Sequence, residues 1–322
     1  MKLESKIDKV KKKLKNKKIA ISFSGGADST LICYLASEVA SDVLAITVDN
    51  NILPKGFVEH TENFCESHGV KQKIHFEDFY KHENIISNNH DRCYLCREEM
   101  YKHIVRIANE NGFNVIVDGT NISDLVEDRP GILINYKNNI QSPFVDVCLT
   151  SREIHEYLDK NNIPYSKSTT CLATRVPFNE KFTKEKYERI SNSENIIYDN
   201  TNCEIVKLRE KYPNVIVEVD NIREFEDVNQ VKLMNEQLKA QGYNEVTLKL
   251  EEIDSKKELK IDYENNEFKY QLPYEIDLKK SQIKNENIQI TKEGLITGKN
   301  FNSYGDAKKE FMKILPKIRR LK

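Results

Sequence analysis

Residues 19–30 read IAISFSGGADST, and this stretch predicts the fold of the chain around it. The apolar residues from Ile19 to Phe23 have the length of a buried strand, and an apolar helical pattern begins at Leu31. The two glycines between them permit a tight turn that approaches a ligand closely. The first turn of the following helix presents unpaired N–H groups. We therefore predict an anion-binding loop at a helix N-terminus.

The polar residues of this loop suit a polyphosphate, since hydroxyl groups can donate to phosphate oxygens and Asp28 could hold Mg²⁺. No lysine follows the second glycine, so the loop is not of the GxxxxGK[ST] type. It resembles the SGGxDS pyrophosphate loop (PP-loop) of the N-type ATP pyrophosphatases, which cut ATP between its α and β phosphates and adenylate a substrate. The alternative is an ordinary tight turn with Ser24 as the N-cap. The resemblance implies that ATP and pyrophosphate bind Ser24, Gly25, Gly26, Asp28, Ser29 and Thr30.

The composition points to a cytoplasmic protein. The chain has 322 residues, of which 31% are charged, and its net charge of −1 argues against a nucleic acid or a membrane as partner. No apolar run has the length of a membrane span, and the lysine-rich N-terminus lacks the apolar segment of a signal peptide. The seven cysteines, an odd number, favour reduced thiols over a disulfide framework.

Strands and helices alternate in the first part of the chain, which predicts an α/β fold: a parallel sheet with helices on both faces. Strands are expected at residues 19–23, 43–48, 70–76 and 115–117. Ligands of such sheets lie at the carboxyl ends of the strands. We therefore expect Asp49 and the turn at residues 118–121, with Gly119, to line one nucleotide-binding crevice together with the loop at residues 24–30.

The second half of the chain changes its rhythm. Residues 184–250 read as helix, strand, strand, helix and strand, which predicts a small α+β domain. A basic amphipathic helix near residues 305–322 is expected to cover this small domain, with a phosphate or RNA surface as the alternative. We therefore divide the chain into a PP-loop ATP pyrophosphatase domain (1–178), a small domain for substrate binding or oligomerisation (179–251) and a C-terminal extension (252–322).

Three of the cysteines could act together. Cys93 and Cys96 lie three residues apart on a helix expected at about residues 91–109, so both thiols point the same way. Cys171 lies in a polar loop further along the chain. Three thiolates can hold an iron–sulfur cluster with one open iron, or zinc with one open position. A redox pair, or ordinary reduced core thiols, explains the same residues.

Five segments, taken in order, resemble the LarE family over roughly residues 18–250. Members of this family are ATP-dependent sulfur transferases of nickel-pincer cofactor synthesis and are commonly homo-oligomers. The resemblance implies that ATP adenylates a carboxylate of pyridinium-3,5-biscarboxylic acid mononucleotide and that sulfur then enters to give a thiocarboxylate. The segments are SGGADST (24–30), RCYLCREEMY (92–101), DGTNISDLVEDRPG (118–131), SPFVDVCLTSREI (142–154) and CLATRVPF (171–178).

The same resemblance suggests two sources for the sulfur. In some members one cysteine, matching Cys171, gives up its own sulfur and becomes dehydroalanine. In others three cysteines hold a 4Fe-4S cluster whose open iron carries the transferred sulfide. This chain has all three, Cys93, Cys96 and Cys171, which favours the cluster and an external sulfide donor. Thiolate or sulfide needs positive surroundings, which Arg92, Arg97 and Arg175 could supply.

Charged residues are candidates for the substrate site, in addition to the catalytic candidates Cys171 and Asp28. Arg129 could clamp a phosphate or a carboxylate, and Arg175 follows Cys171 in the same motif. The resemblance also places Glu194, Lys207 and Arg209 at the substrate. Lysine stands at residue 207 where the family leads us to expect arginine, and lysine is not an equivalent bidentate donor. Solvated helix faces and strand ends are the alternative for these charges.

Two further functions compete with sulfur insertion. A PP-loop enzyme that thiolates tRNA would use the basic terminal helices as binding arms and would show a salt-dependent affinity for RNA. A nucleotide-binding regulator without catalysis is the other possibility. The net charge of −1 argues against the first, and the complete SGGADS loop argues against the second.

Overall fold

The computed structural model of the protein describes residues 2–166, 170–253, 258–281, 283 and 285–321. Residues 167–169, part of the predicted loop before Cys171, lie outside the described residues. The first part of the chain alternates helices and strands. Its elements are α1 (Leu3–Leu14), β1 (Lys18–Ser22), α2 (Ala27–Val39), β2 (Asp42–Asp49), α3 (Phe57–Ser67), β3 (Lys71–Phe76), α4 (Glu83–Ile86), α5 (Arg92–Glu110), β4 (Val115–Val117), α6 (Ile132–Lys137), α7 (Pro143–Asp146) and α8 (Ser151–Lys160).

The first four strands form a parallel sheet in the order β3-β2-β1-β4. The predicted α/β fold is thus confirmed, and each strand begins and ends within one residue of its predicted bounds. β1 lies inside the sheet because it pairs with β2 on one side and with β4 on the other. The loop that follows β1 therefore lies near the middle of the carboxyl edge of the sheet.

Both faces of the sheet are covered by helices, because successive side chains of a strand point to opposite faces. Ile19 and Ile21 pack in one core with residues of α1, α2 and α8. Ala20, between them, packs in a second core with residues of α5. Strands buried on both faces read as continuous apolar runs, which is why β1 was recognisable in the sequence.

A small unit with a second sheet follows. Its elements occur in the predicted order of helix, strand, strand, helix and strand. β5 and β6 pair antiparallel, and β6 pairs in parallel with β7. Side chains of α9 and α10 share one core with this sheet. Its elements are α9 (Lys184–Asn200), β5 (Val206–Lys211), β6 (Asn214–Val219), α10 (Val228–Ala240) and β7 (Glu245–Leu248).

The C-terminal part of the chain forms a third sheet, antiparallel and in the order β10-β11-β9-β8. A helix and a short turn of 3₁₀ helix at residues 315–317 follow the sheet. None of the helices in the described ranges is both long and apolar enough to cross a membrane. The elements are β8 (Asp262–Glu264), β9 (Glu267–Gln271), β10 (Ile288–Ile290), β11 (Leu295–Gly298) and α11 (Tyr304–Ile314).

The expectation that the C-terminal helix covers the small α+β unit is wrong. Phe311 of α11 is buried in one core with Phe268 of β9 and with Ile122 and Leu125 of the first unit. The hydroxyl of Tyr274 also donates a hydrogen bond of 2.5 Å to the carbonyl of Leu125. The apolar face of α11 thus packs on its own sheet, and this sheet packs against the segment that follows β4.

Candidate functional site

The loop between β1 and α2 has the backbone of an anion site at a helix N-terminus. Gly25 has a φ of +68°, in the left-handed region that glycine adopts without strain. A Cβ at Gly25 would also lie 2.9 Å from the ring of His60. The N-cap of α2 is Gly26 rather than Ser24, and no described side chain caps the helix. The N–H groups of its first turn are therefore available to a ligand.

The hydroxyl groups of the loop partly bind one another. Ser29 Oγ lies 3.0 Å from Ser24 Oγ and donates to the carbonyl of Gly26 at 3.1 Å. Thr30 is fully buried, and its hydroxyl donates to the carbonyl of Gly25 at 3.1 Å. Since a hydroxyl has a single proton, Thr30 shapes the loop, and Ser24 is the donor in its pair with Ser29, so that it would turn its proton from Ser29 to a bound anion.

Asp28, on the first turn of α2, faces the turn after β4. A Cβ on Gly119 would lie 2.6 Å from the carbonyl carbon of Asp28, so only glycine allows this approach. One carboxylate oxygen of Asp28, Oδ1, is buried and has no hydrogen bond from the described residues. Burial, followed by the charge of Asp124, raises the pKa of Asp28 to about 8. A buried oxygen without a partner fits Mg²⁺, whose charge would keep the carboxylate ionised.

Asp118, at the end of β4, is a residue whose role the sequence did not reveal. It is 3% exposed, and its carboxylate joins side chains from four segments of the chain. Arg97, expected beside the cysteines, is one of these partners, and its charge also lowers the pKa of Cys96 against the larger effect of burial. The hydrogen bonds to Asp118 come from Arg97 (2.5 Å), Tyr101 (3.0 Å), Thr120 Oγ1 (2.7 Å), Asn135 (2.8 Å) and Ser142 (2.8 Å).

Arg129 lies beside two carboxylates. Its guanidinium is 2.5 Å from Asp124 and 2.7 Å from Glu127. Asp124 also accepts a hydrogen bond from the backbone N–H of Asn121 at 2.9 Å. The charge of Arg129 lowers the pKa of Asp28, against the larger effect of burial, so this arginine lies close to the nucleotide loop. It pairs with two protein carboxylates, and its side chain is still 52% exposed.

Cys93, Cys96 and Cys171, here called the cysteine set, lie in one region. Cys96 and Cys171 pack against the same apolar cluster. The pKa of Cys96 is raised by burial and then by the charges of Cys171 and Cys93. Among the described residues, the three sulfurs do not all lie within 4.8 Å of one another. Sulfurs on one zinc ion can be no more than about 4.6 Å apart, so the three thiols as they stand are not gathered around a single zinc position.

The loop of Cys171 is fastened to the first turn of α5. The buried guanidinium of Arg92 lies 3.4 Å from Cys93 Sγ and donates to the carbonyl of Ala173 at 2.9 Å. Asn88 accepts a hydrogen bond from Arg92 and donates to the carbonyl of Pro177 at 2.8 Å. Burial raises the pKa of Cys171, whereas the charges of Arg92 and Arg175 lower it.

The same loop is also fastened to the carboxyl edge of the sheet. The N–H of Ser166 donates to the carbonyl of Gly25 at 2.8 Å. The N–H of Leu172 donates to the carbonyl of Ile52, shortly after β2, at 3.1 Å. Five residues of chain span at most about 18 Å, so Cys171 lies within reach of the nucleotide loop. Asp49, the last residue of β2, accepts from the N–H of Asn51 at 3.0 Å at this edge.

Charged side chains of the small unit contact the loop of Cys171. Arg175, which is 2% exposed, pairs with Glu194 at 2.6 Å. Glu194 also accepts from the N–H of Leu208 at 3.0 Å, which joins β5 to this arginine. Arg209 pairs with Glu218 at 2.9 Å and donates to the carbonyl of Thr174 at 2.7 Å.

Lys207, half-buried on β5, has no ion pair or hydrogen bond with the described residues. Burial, and then the charges of Arg175 and Arg209, lower its pKa. The carboxylates of Glu194 and Glu218 are already bound by these two arginines. We call Arg175, Lys207 and Arg209 the cation group. An anion bound there would relieve the repulsion between the three charges.

Comparison with known proteins agrees with the PP-loop fold predicted for the first part of the chain. A family model described as the PP-loop domain matches residues 1–139. An uncharacterized protein of Methanocaldococcus jannaschii is 30% identical over 243 residues, which cover 75% of this chain and 93% of that protein. A pyridinium-3,5-bisthiocarboxylic acid mononucleotide synthase of Lactiplantibacillus plantarum is 21% identical, over 72% of this chain and 86% of the synthase. A tRNA(Ile)-lysidine synthase of Rickettsia bellii is 26% identical, over 52% of this chain and 43% of that synthase.

Proposed function

This chain belongs to the PP-loop family of ATP-binding proteins, and we propose that it inserts sulfur into a carboxylate that it first activates with ATP. The proposed substrate is pyridinium-3,5-biscarboxylic acid mononucleotide, and the product carries a thiocarboxylate. The name of the Lactiplantibacillus relative supports this substrate. The observation that carries the proposal is the position of Cys171, whose loop is bonded both to the nucleotide loop and to the helix of Cys93 and Cys96.

The first step is adenylation. A carboxylate oxygen of the substrate attacks the α-phosphorus of ATP, the bond to the β-phosphate oxygen breaks, and pyrophosphate leaves. The N–H groups at the start of α2 and the hydroxyl of Ser24 hold the leaving phosphates, whose charge grows as the bond breaks. Asp28 would hold Mg²⁺, which supplies further neutralisation of that charge. The loop backbone needs little rearrangement, since Gly25 and Thr30 already fix its shape.

The second step replaces AMP by sulfur. A carbon–sulfur bond forms at the activated carbonyl and the bond to the AMP oxygen breaks. Cys93, Cys96 and Cys171 would hold a 4Fe-4S cluster that, when bound, supplies one iron without a protein ligand for the sulfide that is transferred. Arg92 and Arg175 favour sulfur in its anionic form near Cys171. An external sulfide donor is needed to renew the sulfide after each turnover.

The cation group orients the substrate. Because Lys207 has a half-buried charge that no described carboxylate pairs with, it is the residue best placed to bind the phosphate or the second carboxylate of the mononucleotide. Arg175 and Arg209 add positive charge, while Glu194 and Glu218 hold their guanidinium groups in place. Holding the substrate by a remote anion fixes its reacting carboxylate between ATP and the sulfur source.

The proposal extends to the organisation of the protein. We propose that residues 1–178 form the ATP pyrophosphatase domain, residues 179–251 the substrate or oligomerisation domain, and residues 252–322 an extension. We also propose a homo-oligomer that acts in the cytoplasm. Size-exclusion chromatography with light scattering tests the oligomer directly.

The deciding experiment compares iron-loaded and iron-free protein, prepared without oxygen, in the presence of ATP, Mg²⁺, substrate and sulfide. Both forms should release pyrophosphate, and only the iron-loaded form should make thiocarboxylate over many turnovers. Asp28→Ala should abolish pyrophosphate release from both. If iron-free protein transfers sulfur once and Cys171 loses about 34 Da, as its conversion to dehydroalanine requires, the cysteine itself is the donor and the cluster proposal is wrong. Pyrophosphate release that depends on tRNA would support the tRNA enzyme instead.

A further inference from the structure

Glu77, directly after β3, is surrounded by three imidazoles that the proposed reaction does not use. Its Oε2 lies 3.3 Å from Nε2 of His103 and 3.6 Å from Nε2 of His75. Its Oε1 lies 3.0 Å from Nε2 of His82. The ligand atoms of His75, Glu77 and His103 all lie within 4.8 Å of one another. These three residues are called the histidine cluster below.

The fold brings these residues together from the end of a strand and from the middle of a helix. His75 lies on β3, the edge strand of the parallel sheet, and His103 lies on α5. Their rings face each other with centroids 4.1 Å apart and planes inclined by 31°. The side chains of His75 and Glu77 are each 24% exposed and that of His103 is 18% exposed, so ions can reach a largely enclosed place.

The two ring nitrogens lack a satisfactory protein partner. Nε2 of His75 and Nε2 of His103 are buried, and neither makes a hydrogen bond within the part of the chain that the structure describes. Burying a polar atom without a partner costs free energy, and each such atom requires an explanation. Two converging ring nitrogens and one carboxylate oxygen are the donor set of many zinc sites.

We propose that His75, Glu77 and His103 bind a divalent first-row transition-metal ion of the Zn²⁺ type. Imidazole and carboxylate ligands suit Zn²⁺, Co²⁺ and Ni²⁺, and a water molecule would complete a four-coordinate site. His82 bonds the other oxygen of Glu77, as the outer-shell partners of metal ligands do. Metal binding requires neutral imidazole, so the affinity should fall at low pH.

A simple ion-pair network explains the arrangement less well. If His75 and His103 were both protonated, two positive rings would lie 4.1 Å apart and repel each other, even with Glu77 beside both and Glu99 3.6 Å from Nε2 of His103. If both are neutral, an Nε2–H could donate to Glu77, but neither contact, at 3.3 Å and 3.6 Å, has the geometry of a hydrogen bond. A divalent ion satisfies both nitrogens and the carboxylate at once. It would also fasten β3 to the helix that carries Cys93 and Cys96 at its start.

The test is a Zn²⁺ titration of the full-length protein by calorimetry. Because the cysteine set can also bind Zn²⁺, the comparison is between the wild type, the double variant His75→Ala/His103→Ala, and His68→Gln, a histidine change outside the histidine cluster. We expect the double variant to bind one Zn²⁺ fewer per chain, and His68→Gln to bind as many as the wild type. Glu77→Gln should weaken the same binding event at least tenfold.

Co²⁺ separates this site from the thiols. The absorption that is lost in the double variant should contain d–d bands without thiolate-to-cobalt charge transfer. Circular dichroism should show that the double variant remains folded. Equal Zn²⁺ stoichiometry and affinity in wild type and double variant, or binding that needs millimolar Zn²⁺, would overturn the proposal. Neither result affects the proposed sulfur chemistry, which is assayed by its own products.

Discussion

The guanidinium of Arg92 donates a hydrogen bond of 2.9 Å to the carbonyl of Ala173, across 81 residues of chain. Arg92 is the first residue of α5, directly before Cys93, and Ala173 lies two residues after Cys171. One buried side chain thus connects the two segments that supply the three thiols. The position of Cys171 relative to Cys93 depends on an arginine that is not itself a ligand.

Replacing Arg92 should therefore disturb the cysteine set before it disturbs the nucleotide loop. Arg92→Ala leaves the carbonyl of Ala173 and the side chain of Asn88 without their charged partner, which costs about 2 kcal/mol of unfolding free energy. We expect lower iron content after reconstitution, with pyrophosphate release preserved. Iron analysis and urea unfolding measure the two effects. Arg106→Ala, which removes only an exposed ion pair with Glu110, is the control. Full iron loading of Arg92→Ala would contradict the role given to this arginine.

Asp28 should make stability depend on pH in the absence of ligand. Its pKa is raised from 3.8 to about 8, so its contribution is complete below about pH 4 and is lost as the pH rises through about 8. The free energy of unfolding should fall over this window, measured by urea titration at several pH values. Asp28→Asn, which cannot ionise, should lack this part of the decline. Saturating Mg²⁺ and ATP should reduce the decline in the wild type alone. Identical profiles for the two proteins would show that Asp28 titrates normally.

Lys207 should contribute to the binding of the pyridinium substrate and not to the binding of ATP. Lys207→Ala removes a charge without an ion-pair partner among the described residues, so we expect the KM for the pyridinium substrate to rise at least tenfold while the KM for ATP changes little. The stability should not fall, since the repulsion from Arg175 and Arg209 is relieved. Lys207→Arg should restore substrate binding. Lys211→Ala, at the exposed end of the same strand, is the matched control. An unchanged substrate KM in Lys207→Ala would remove the cation group from the binding site.

Each thiol of the cysteine set should be needed for sulfur transfer and for no other step. Single changes of Cys93, Cys96 or Cys171 to Ala should each lose the broad visible absorption and the content of about four irons per chain expected of a 4Fe-4S cluster. Pyrophosphate release should continue, because the nucleotide loop is built from other residues. Cys203→Ala is the control, since Cys203 is buried in the core of the small unit. A Cys93→Ala protein that still makes thiocarboxylate catalytically would exclude a three-thiol cluster.

The parallel sheet was predictable because its signals are local. Apolar strands such as β1, and glycines such as Gly25 that a tight turn requires, can be read within a few neighbouring residues. The pairing of the C-terminal strands into one sheet was not, because β8 and β10 have only three residues each and bury little of their length. Its core also needs Ile122 and Leu125, which belong to another unit.

In the candidate site, too, only the features that depend on neighbouring residues could be predicted from the sequence. The spacing of Cys93 and Cys96 is a short-range pattern, and the sequence could indicate it. The partners of Asp118 come from four separate segments, and His75 meets His103 across two elements of the fold. No periodicity or spacing encodes such meetings, since they depend on which strand lies at the edge and which helix covers it. The ion pairs of Arg129 are local by contrast, since Asp124 and Glu127 belong to the same segment of the sequence as Arg129.

The apolar core shared by α11, β9 and the segment after β4 has a consequence for how the molecule melts. Parts of a chain that bury the same side chains cannot lose their structure independently, because unfolding one exposes the apolar surface of the other. The first and third sheets should accordingly unfold in one cooperative transition. The sheet of β5, β6 and β7 has a core of its own, but Ile190 of its helix α9 is buried in one apolar core with Ile52 and Phe79 of the first unit, so its unfolding is coupled to the rest through this helix.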